Sequence, residues 1–311
     1  MPALSGLADF DPQKDIPSLE GKVIFITGGT AGLGAQYVKA FAQHNPAHIY
    51  FSGRNAEAAE SLISQIQQIA PSVSMTFVKM DLSSLVSVKN ASRLFTSDRL
   101  DILVCNAGIM DHPPALSVDG FEIHFATNHL GHSMLIRKLL PTLLATVKKP
   151  GADVRIVILT SVGWRVRPSD GVTYNTLKTK QENGLASLYR YGQSKLANLV
   201  YAKELARRYP GITTVSVHPG TVATDLVLKL RPLQRRIVYI SQFVQGKRVL
   251  TEAEGALNPL WAAAGADKKR LENGGYYEPV GVLGKLDAVA TDVKFARQLW
   301  EYTQEVLDKS E

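Results

Sequence analysis

The sequence predicts a single α/β domain, a doubly wound parallel sheet of seven strands with helices on both faces. Three observations carry this. Short β-branched runs alternate with longer amphipathic stretches, the pattern of repeated βα units. The runs are apolar at nearly every position, as strands covered on both faces are. No Gly/Ser linker, composition break or internal repeat divides the 311 residues.

In order along the chain, strands are expected at 22–27, 48–52, 73–80, 100–105, 154–160, 213–218 and 275–279. Helices are expected at 34–44, 56–69, 85–95, 121–147, 188–208, 252–264 and 292–307. Pro46, Pro71, Pro150 and Pro210 stand just past four of them, where a residue unable to continue a helix belongs. The domain is expected to span 21–311. Residues 1–20 precede it as an N-terminal arm, without the basic leader and apolar run of a secretory signal. Two connections, 163–186 and 222–250, are much longer than tight βα loops. Each follows the C-terminal end of a strand, the edge where open parallel sheets bind ligands, so both are expected to shape a substrate pocket. Trp164, Arg165, Val166, Tyr174 and Leu177 are its wall candidates, with ordinary packing as the alternative for each.

Composition excludes several classes. A chain 45% hydrophobic and 20% charged can bury a sizeable core and is not disordered, collagenous or coiled-coil. The longest stretch free of Asp, Glu, Lys and Arg, 61–78, is broken by polar residues and Pro71, so no transmembrane helix is expected. Cys105 is the one cysteine and can form no internal disulfide, which favours a reducing, cytoplasmic setting. The net charge of +7 is unevenly placed. No acid lies between Asp225 and Glu252, while Lys229, Arg231, Arg235, Arg236, Lys247 and Arg248 interleave with Leu226, Leu230, Ile237 and Phe243. Such a segment suits a lid over an apolar ligand or a peripheral membrane contact better than a nucleic-acid arm, and no nucleic-acid partner is expected.

The first strand runs into Thr27-Gly28-Gly29-Thr30-Ala31-Gly32-Leu33-Gly34 and then a helix. Glycine at 28, 32 and 34 permits a tight turn, close approach of backbone to a pyrophosphate, and close packing of helix on sheet. Further along stand Asp81-Leu82, Asn106-Ala107-Gly108, Asn128, Ser161, Tyr191-Gly192-Gln193-Ser194-Lys195 and Pro219-Gly220-Thr221-Val222-Ala223-Thr224. Taken singly, each has a plain reading: a turn glycine, a turn cap at Asn106, a helix cap at Asp81, a packed aromatic at Tyr191. Together, over nearly the whole chain, they resemble the short-chain dehydrogenase/reductase family. Cys105-Asn106-Ala107-Gly108-Ile109-Met110, Asn128-His129-Leu130-Gly131-His132 and Ser194-Lys195-Leu196-Ala197-Asn198 look like its branch of retinol dehydrogenases and the WW-domain-containing oxidoreductase, here without a WW domain.

The resemblance implies a Rossmann-type domain that binds a nicotinamide dinucleotide and moves a hydride between it and a ketone, aldehyde or alcohol of a hydrophobic small molecule. It implies cofactor contacts from Gly28, Thr30, Gly32, Leu33 and Gly34 in the first turn, and from Asp81, Leu82, Asn106, Ala107 and Gly108 after later strands. Pro219, Gly220, Val222 and Thr224 would clamp the nicotinamide carboxamide. The second strand ends in Ser52-Gly53-Arg54-Asn55, with no acid for a ribose 2′-hydroxyl. Arg54 offers a fork suited to a 2′-phosphate, with Asn55 assisting, so NADP(H) is expected over NAD(H); the plain alternative is a solvated arginine.

Tyr191 and Lys195 are four apart and share one face of a helix. A nearby ammonium would lower the phenol's pKa, and Tyr191 would then act as the general acid/base. By resemblance, Ser161 stabilises charge on the substrate oxygen, Lys195 also holds the nicotinamide ribose, and Asn128 distorts its helix and retains a relay water. Family members often form homodimers through the helices at 121–147 and 188–208. His124, His129 and His132 do not converge, so no metal is expected, and Ser161 lacks a G-x-S-x-G elbow. The alternative from another class is a catalytically silent dinucleotide-binding scaffold or regulator.

Overall fold

The computed structural model describes residues 9–182, 186–223, Arg236 and 248–310. Among the described residues, eight strands form one sheet: β1 (Val23–Ile26), β2 (His48–Gly53), β3 (Ser74–Lys79), β4 (Ile102–Cys105), β5 (Arg155–Leu159), β6 (Thr213–Val217), β7 (Tyr276–Glu278) and β8 (Val282–Leu283). Their order is β3-β2-β1-β4-β5-β6-β7-β8. Every position of β1, β4, β5 and β6 is buried, including Arg155 and the hydroxyl residues Thr213, Thr214 and Ser216, as strands covered on both faces are. Side chains alternate between two cores. Val23 and Phe25 face one layer, Ile24 and Ile26 the other. The helices Leu85–Ser92, Gly131–Val147, Ala186–Arg208 and Val293–Asp308 cover the first, and Gly32–Ala42, Ala56–Ile69 and Glu252–Leu260 the second. Full burial of one large apolar side chain contributes about 1.5–3 kcal/mol, so the fold rests on these two layers.

The sheet has one strand more than the sequence predicts. β7 runs parallel to β6, and the chain then turns at Gly281, whose φ of +70° favours glycine, to lay β8 antiparallel against β7. Two exposed residues are too few for a periodic signal. The arm assigned to 1–20 also differs in its described part. Asp11 caps a short helix, Pro12–Asp15, Ile16 and Leu19 are buried, and the Phe10 ring lies against Gly265. Pro at the first helical position and the apolar Ile16 and Leu19 fasten this stretch to the second core.

The chain builds outward from β1 to β3 and returns to β4 on the other side, so the strand order reverses between β1 and β4. A crevice opens at that point beyond the carboxyl ends of the strands, where doubly wound sheets take ligands. The expected helix at 121–147 is interrupted by a π-helical turn, Ala126–Leu130. Such bulges are frequent at functional sites.

The described part of the 163–186 connection is anchored at a few buried positions and is otherwise half-buried or exposed. Trp164, Val172 and Leu177 are buried in the first core, which corrects the pocket-wall reading of Trp164 and Leu177; Arg165 and Val166 are exposed. Gln193 Oε1 accepts from Thr173 N and its Nε2 donates to Gln181 Oε1, fastening the connection to the helix beneath. Of 222–250, the described ends meet: Val222 bridges to Leu250, Ala223 N donates to Leu250 O at 2.8 Å, and Leu250 N to Thr221 O at 2.7 Å. The basic and apolar stretch 226–244, expected as lid or membrane contact, lies outside the described residues except for Arg236. Among the described residues, no helix is long and apolar enough to cross a membrane.

The outward faces of Gly131–Val147 and Ala186–Arg208 carry the helix Val293–Asp308. Trp300 stacks on Tyr201, His129 Nε2 meets Thr303 Oγ1 at 2.9 Å, and Arg137 pairs with Asp308.

Candidate active site

The turn after β1 is shaped by backbone demands. Gly28 and Gly32 have φ of +66° and +53°, and a Cβ on Gly34 would lie 2.0 Å from Gly28 O. The helix Gly32–Ala42 therefore starts hard against the turn. Its N-cap, Ala31, supplies no side-chain cap and its first turn holds no acid, which leaves amide groups and the positive dipole end available to a phosphate. Thr30 packs against Gly53 at the end of β2, and Leu33 against Gly255. These features fit a dinucleotide pyrophosphate.

At the ends of β2 and β3 a cavity of about 440 Å³ is lined by Arg54, Lys79, Met80, Asp81 and Ser87. Register pairs Gly53 with Lys79, so Lys79 falls beside Arg54 and both are exposed. Sequence reasoning missed Lys79; the signal was the parallel alignment of the two strand ends. Asp81 Oδ1 accepts from Ser83 N and Ser83 Oγ, which holds its carboxylate in the turn. Leu82 is buried, and its carbonyl lies so near Gly131 that a Cβ there would sit 2.3 Å away. Asn55 has a task the sequence reading did not assign: Oδ1 caps the helix Ala56–Ile69 through Ala58 N at 3.1 Å.

The turn after β4 closes on the turn after β1. Asn106 Nδ2 donates to Thr27 O at 2.8 Å, while Asn106 N and Ala107 N donate to Thr27 Oγ1 at 2.9 and 3.0 Å. A Cβ on Gly108 would lie 3.0 Å from Asn128 Oδ1 and 3.4 Å from Lys195 Nζ, so this turn reaches the centre of the site. Asn128 sits in the π turn. Its Oδ1 accepts from Ile109 N at 2.8 Å, and its Nδ2 donates to Ile109 O and to Ser194 Oγ at 3.0 and 2.9 Å.

Ser161, just past β5, accepts from Gly163 N at 3.1 Å through Oγ and hydrogen-bonds the Tyr191 phenol. Gly163 is where the Tyr191 ring comes closest, since a Cβ there would lie 2.9 Å from Tyr191 Cε1 and 3.4 Å from Ser161 Oγ. Lys195 Nζ donates to Leu159 O at 3.1 Å and stands 5.8 Å from the Tyr191 ring centre. Asn128, Ser161, Tyr191 and Lys195, separate in sequence, thus surround one spot at the carboxyl edge of the sheet. Pro219, Gly220 and Val222 follow β6 at the same edge, with Gly220 at φ +92°; Thr224 lies outside the described residues.

Burial raises the Tyr191 phenol above its ordinary range, and a hydrogen bond with Ser161 draws it part of the way back. The expected lowering by Lys195 is not met in the protein alone, where burial dominates and the ammonium donates to Leu159 O. Burial also lowers Lys195, to about 8 from its ordinary 10.5. Between those two pH values the unfolded chain binds a proton that the folded one does not, so this group's contribution to stability rises from pH 8 to 10.5. A shift of this size is worth about 3 kcal/mol. Lys195→Met is therefore expected to stabilise the protein at pH 7 by about 1–3 kcal/mol, net of the Leu159 hydrogen bond, and to flatten that pH dependence. Urea unfolding at pH 7, 8.5 and 10 measures it; a variant less stable than the parent at pH 7 refutes it.

Two more buried groups escaped sequence reasoning. Glu122, fully buried, caps the Asn128 helix: Oε1 accepts from His124 N and Nδ1, and Oε2 from Phe125 N. Arg190, next to Tyr191, pairs with Glu122 at 3.4 Å and donates to Gln181 O and His112 O. An acid immediately before an apolar helical stretch was the available signal. His124, His129 and His132 turn to separate partners, Glu122, Thr303 and Thr27.

The short chain dehydrogenase family model matches residues 22–234. The chain is 35% identical over 315 residues to the short-chain dehydrogenase/reductase drtF of Aspergillus calidoustus, covering 95% of this chain and 96% of that one. It is 32% identical over 295 residues to human retinol dehydrogenase 11, covering 93% and 86%. A solved structure from Mycobacterium paratuberculosis, 26% identical, matches 95% of this chain and 97% of its own with a TM-score of 0.73. With the reversal of strand order, the glycine turn and the four converging side chains, these similarities make the chain a member of the short-chain dehydrogenase/reductase family, an oxidoreductase of CH–OH and C=O groups on the retinol-dehydrogenase-like branch.

Proposed function

We propose that the protein is an NADPH-dependent reductase of hydrophobic ketones or aldehydes, reversible as an alcohol dehydrogenase. The observation that carries the reading is the placement of Ser161, Tyr191 and Lys195 around one spot, beside a crevice whose far end offers Arg54 and Lys79. Bound NADPH would supply the hydride. Ser161 turns its hydroxyl proton from the Tyr191 phenol to the substrate oxygen, and Tyr191 delivers its phenol proton to that oxygen as negative charge grows there. Lys195 holds the nicotinamide ribose, and its ammonium favours the phenolate that Tyr191 becomes. Asn128 supports the proton's return through its helix distortion. Val222 and its neighbours hold the carboxamide. The name of retinol dehydrogenase 11 supports an apolar substrate class.

The cofactor choice rests on charge. Arg54 and Lys79 flank the cavity where an acid would favour NADH, and neither has a carboxylate partner among the described residues. Charge-assisted hydrogen bonds contribute about 1.5–3 kcal/mol, so Arg54→Ala is expected to weaken NADPH binding about ten- to a hundredfold and leave NADH unchanged. Fluorescence titration of both proteins with both cofactors measures this. Equal affinities unmoved by the substitution would point to an NAD-linked dehydrogenase, and tight NADPH binding without turnover across a panel of apolar aldehydes and ketones would point to a scaffold.

The reading also includes a chain that does not pair through the helices at 121–147 and 188–208. Val293–Asp308 already occupies that face with Trp300, Thr303 and Asp308. Light scattering at micromolar concentration is expected to give the mass of one chain; a dimer would require another face.

A further inference from the structure

The geometry assigns His132 as a positioning residue that joins the nucleotide-binding turns to the helix carrying Tyr191, an assignment that rests on the dinucleotide reading above. His132 is buried, and neither ring nitrogen meets solvent. Nδ1 lies 2.9 Å from Asn128 O, and Nε2 lies 2.9 Å from Thr27 Oγ1. A carbonyl oxygen only accepts, so Nδ1 carries the hydrogen. Thr27 Oγ1 already accepts from Asn106 N and Ala107 N. Its two lone pairs are taken, so its own proton goes to Nε2, with Val104 O, at 3.4 Å, a poorer acceptor. His132 is thereby a neutral ring with its hydrogen on Nδ1, the tautomer being set by what each nitrogen faces. Burial is the main cause keeping it neutral, with the nearby Lys195 charge acting in the same direction.

The consequence is one continuous chain of hydrogen bonds. It starts at the amides of Asn106 and Ala107, passes through the Thr27 hydroxyl and the His132 ring, and ends on the Asn128 carbonyl. From the Asn128 side chain it continues through Ser194 Oγ to the carbonyl of Tyr191 at 2.7 Å. The turns after β1 and β4, which would hold the cofactor, are in this way tied to the π turn and to the helix of the proton donor. Each ring nitrogen of His132 has one partner, one accepting and one donating, so a ring that can only accept, only donate or do neither breaks the chain at its middle.

Long-range ¹H–¹⁵N correlation of the histidine rings tests the assignment in the whole protein without cofactor or substrate, the His132→Phe spectrum identifying the signal. The expected result is a neutral Nδ1–H tautomer that does not titrate between pH 5 and 8. An Nε2–H tautomer, or titration near the ordinary 6.5, overturns it. Function is read as NADPH affinity by fluorescence. His132→Phe and Thr27→Val are each expected to weaken NADPH about tenfold, the double variant no further, and His132→Gln, which can donate and accept at the same points, to recover most of the loss. Additive losses, or a glutamine as poor as phenylalanine, overturn the positioning role. If the wild type binds no nicotinamide dinucleotide, the functional reading fails while the tautomer result stands on its own.

Discussion

Tyr191→Phe is expected to reduce NADPH-linked carbonyl turnover by about a hundred- to ten-thousandfold, the range over which a positioned general acid acts. The substitution keeps the ring that packs against Gly163 and removes only the hydroxyl and its bond to Ser161. Cofactor affinity should therefore stay within about twofold of the parent, which separates loss of proton transfer from loss of binding. The measurement is kcat with the aldehyde or ketone that the wild type reduces, beside an NADPH titration of both proteins. Turnover within threefold of wild type would remove Tyr191 from the reaction, and Ser161, the nearest hydroxyl, would become the donor to examine.

The largest effect on stability is expected at Glu122. Its carboxylate is out of water, satisfied by three hydrogen bonds from His124 and Phe125 and paired with Arg190. Glu122→Leu strands the Arg190 guanidinium inside the protein and uncaps the Asn128 helix. Breaking a buried pair from one side costs about 3–5 kcal/mol, while replacing both members with apolar residues recovers much of that. Urea midpoints for Glu122→Leu, Arg190→Met and the double variant, at unchanged m, give the comparison. A single-variant loss under about 1 kcal/mol, or a double variant as unstable as the sum, would show that the pair does not act as a unit.

Much of this architecture was legible because the residues that build it obey local rules. β1 and β4 announce themselves by apolar runs, and Pro46, Pro71, Pro150 and Pro210 mark helix ends. Glycines 28, 32 and 34 and the Tyr191–Lys195 spacing place the site at one sheet edge before any coordinates are known. What sequence could not supply is long-range. β8 is two residues held by its partner, and Phe10, Ile16 and Leu19 find their pockets only once the second core exists. Trp164 and Leu177 look like pocket lining because their connection follows a strand, yet they reach a core formed by helices distant in sequence. The pKa of Tyr191 depends on burial and on its hydrogen bond with Ser161, neither of which a four-residue spacing contains.

The bridge between Val222 and Leu250, closed on both sides by backbone hydrogen bonds of Ala223 and Leu250, makes everything between them a cassette with fixed ends. Once two ends are held, doubling the length of chain between them costs only about 0.6 kcal/mol of closure entropy. The length of chain joined between these two positions can therefore change while the sheet, the glycine turn and the Tyr191 helix keep their places, because the ends that meet them are held by backbone alone.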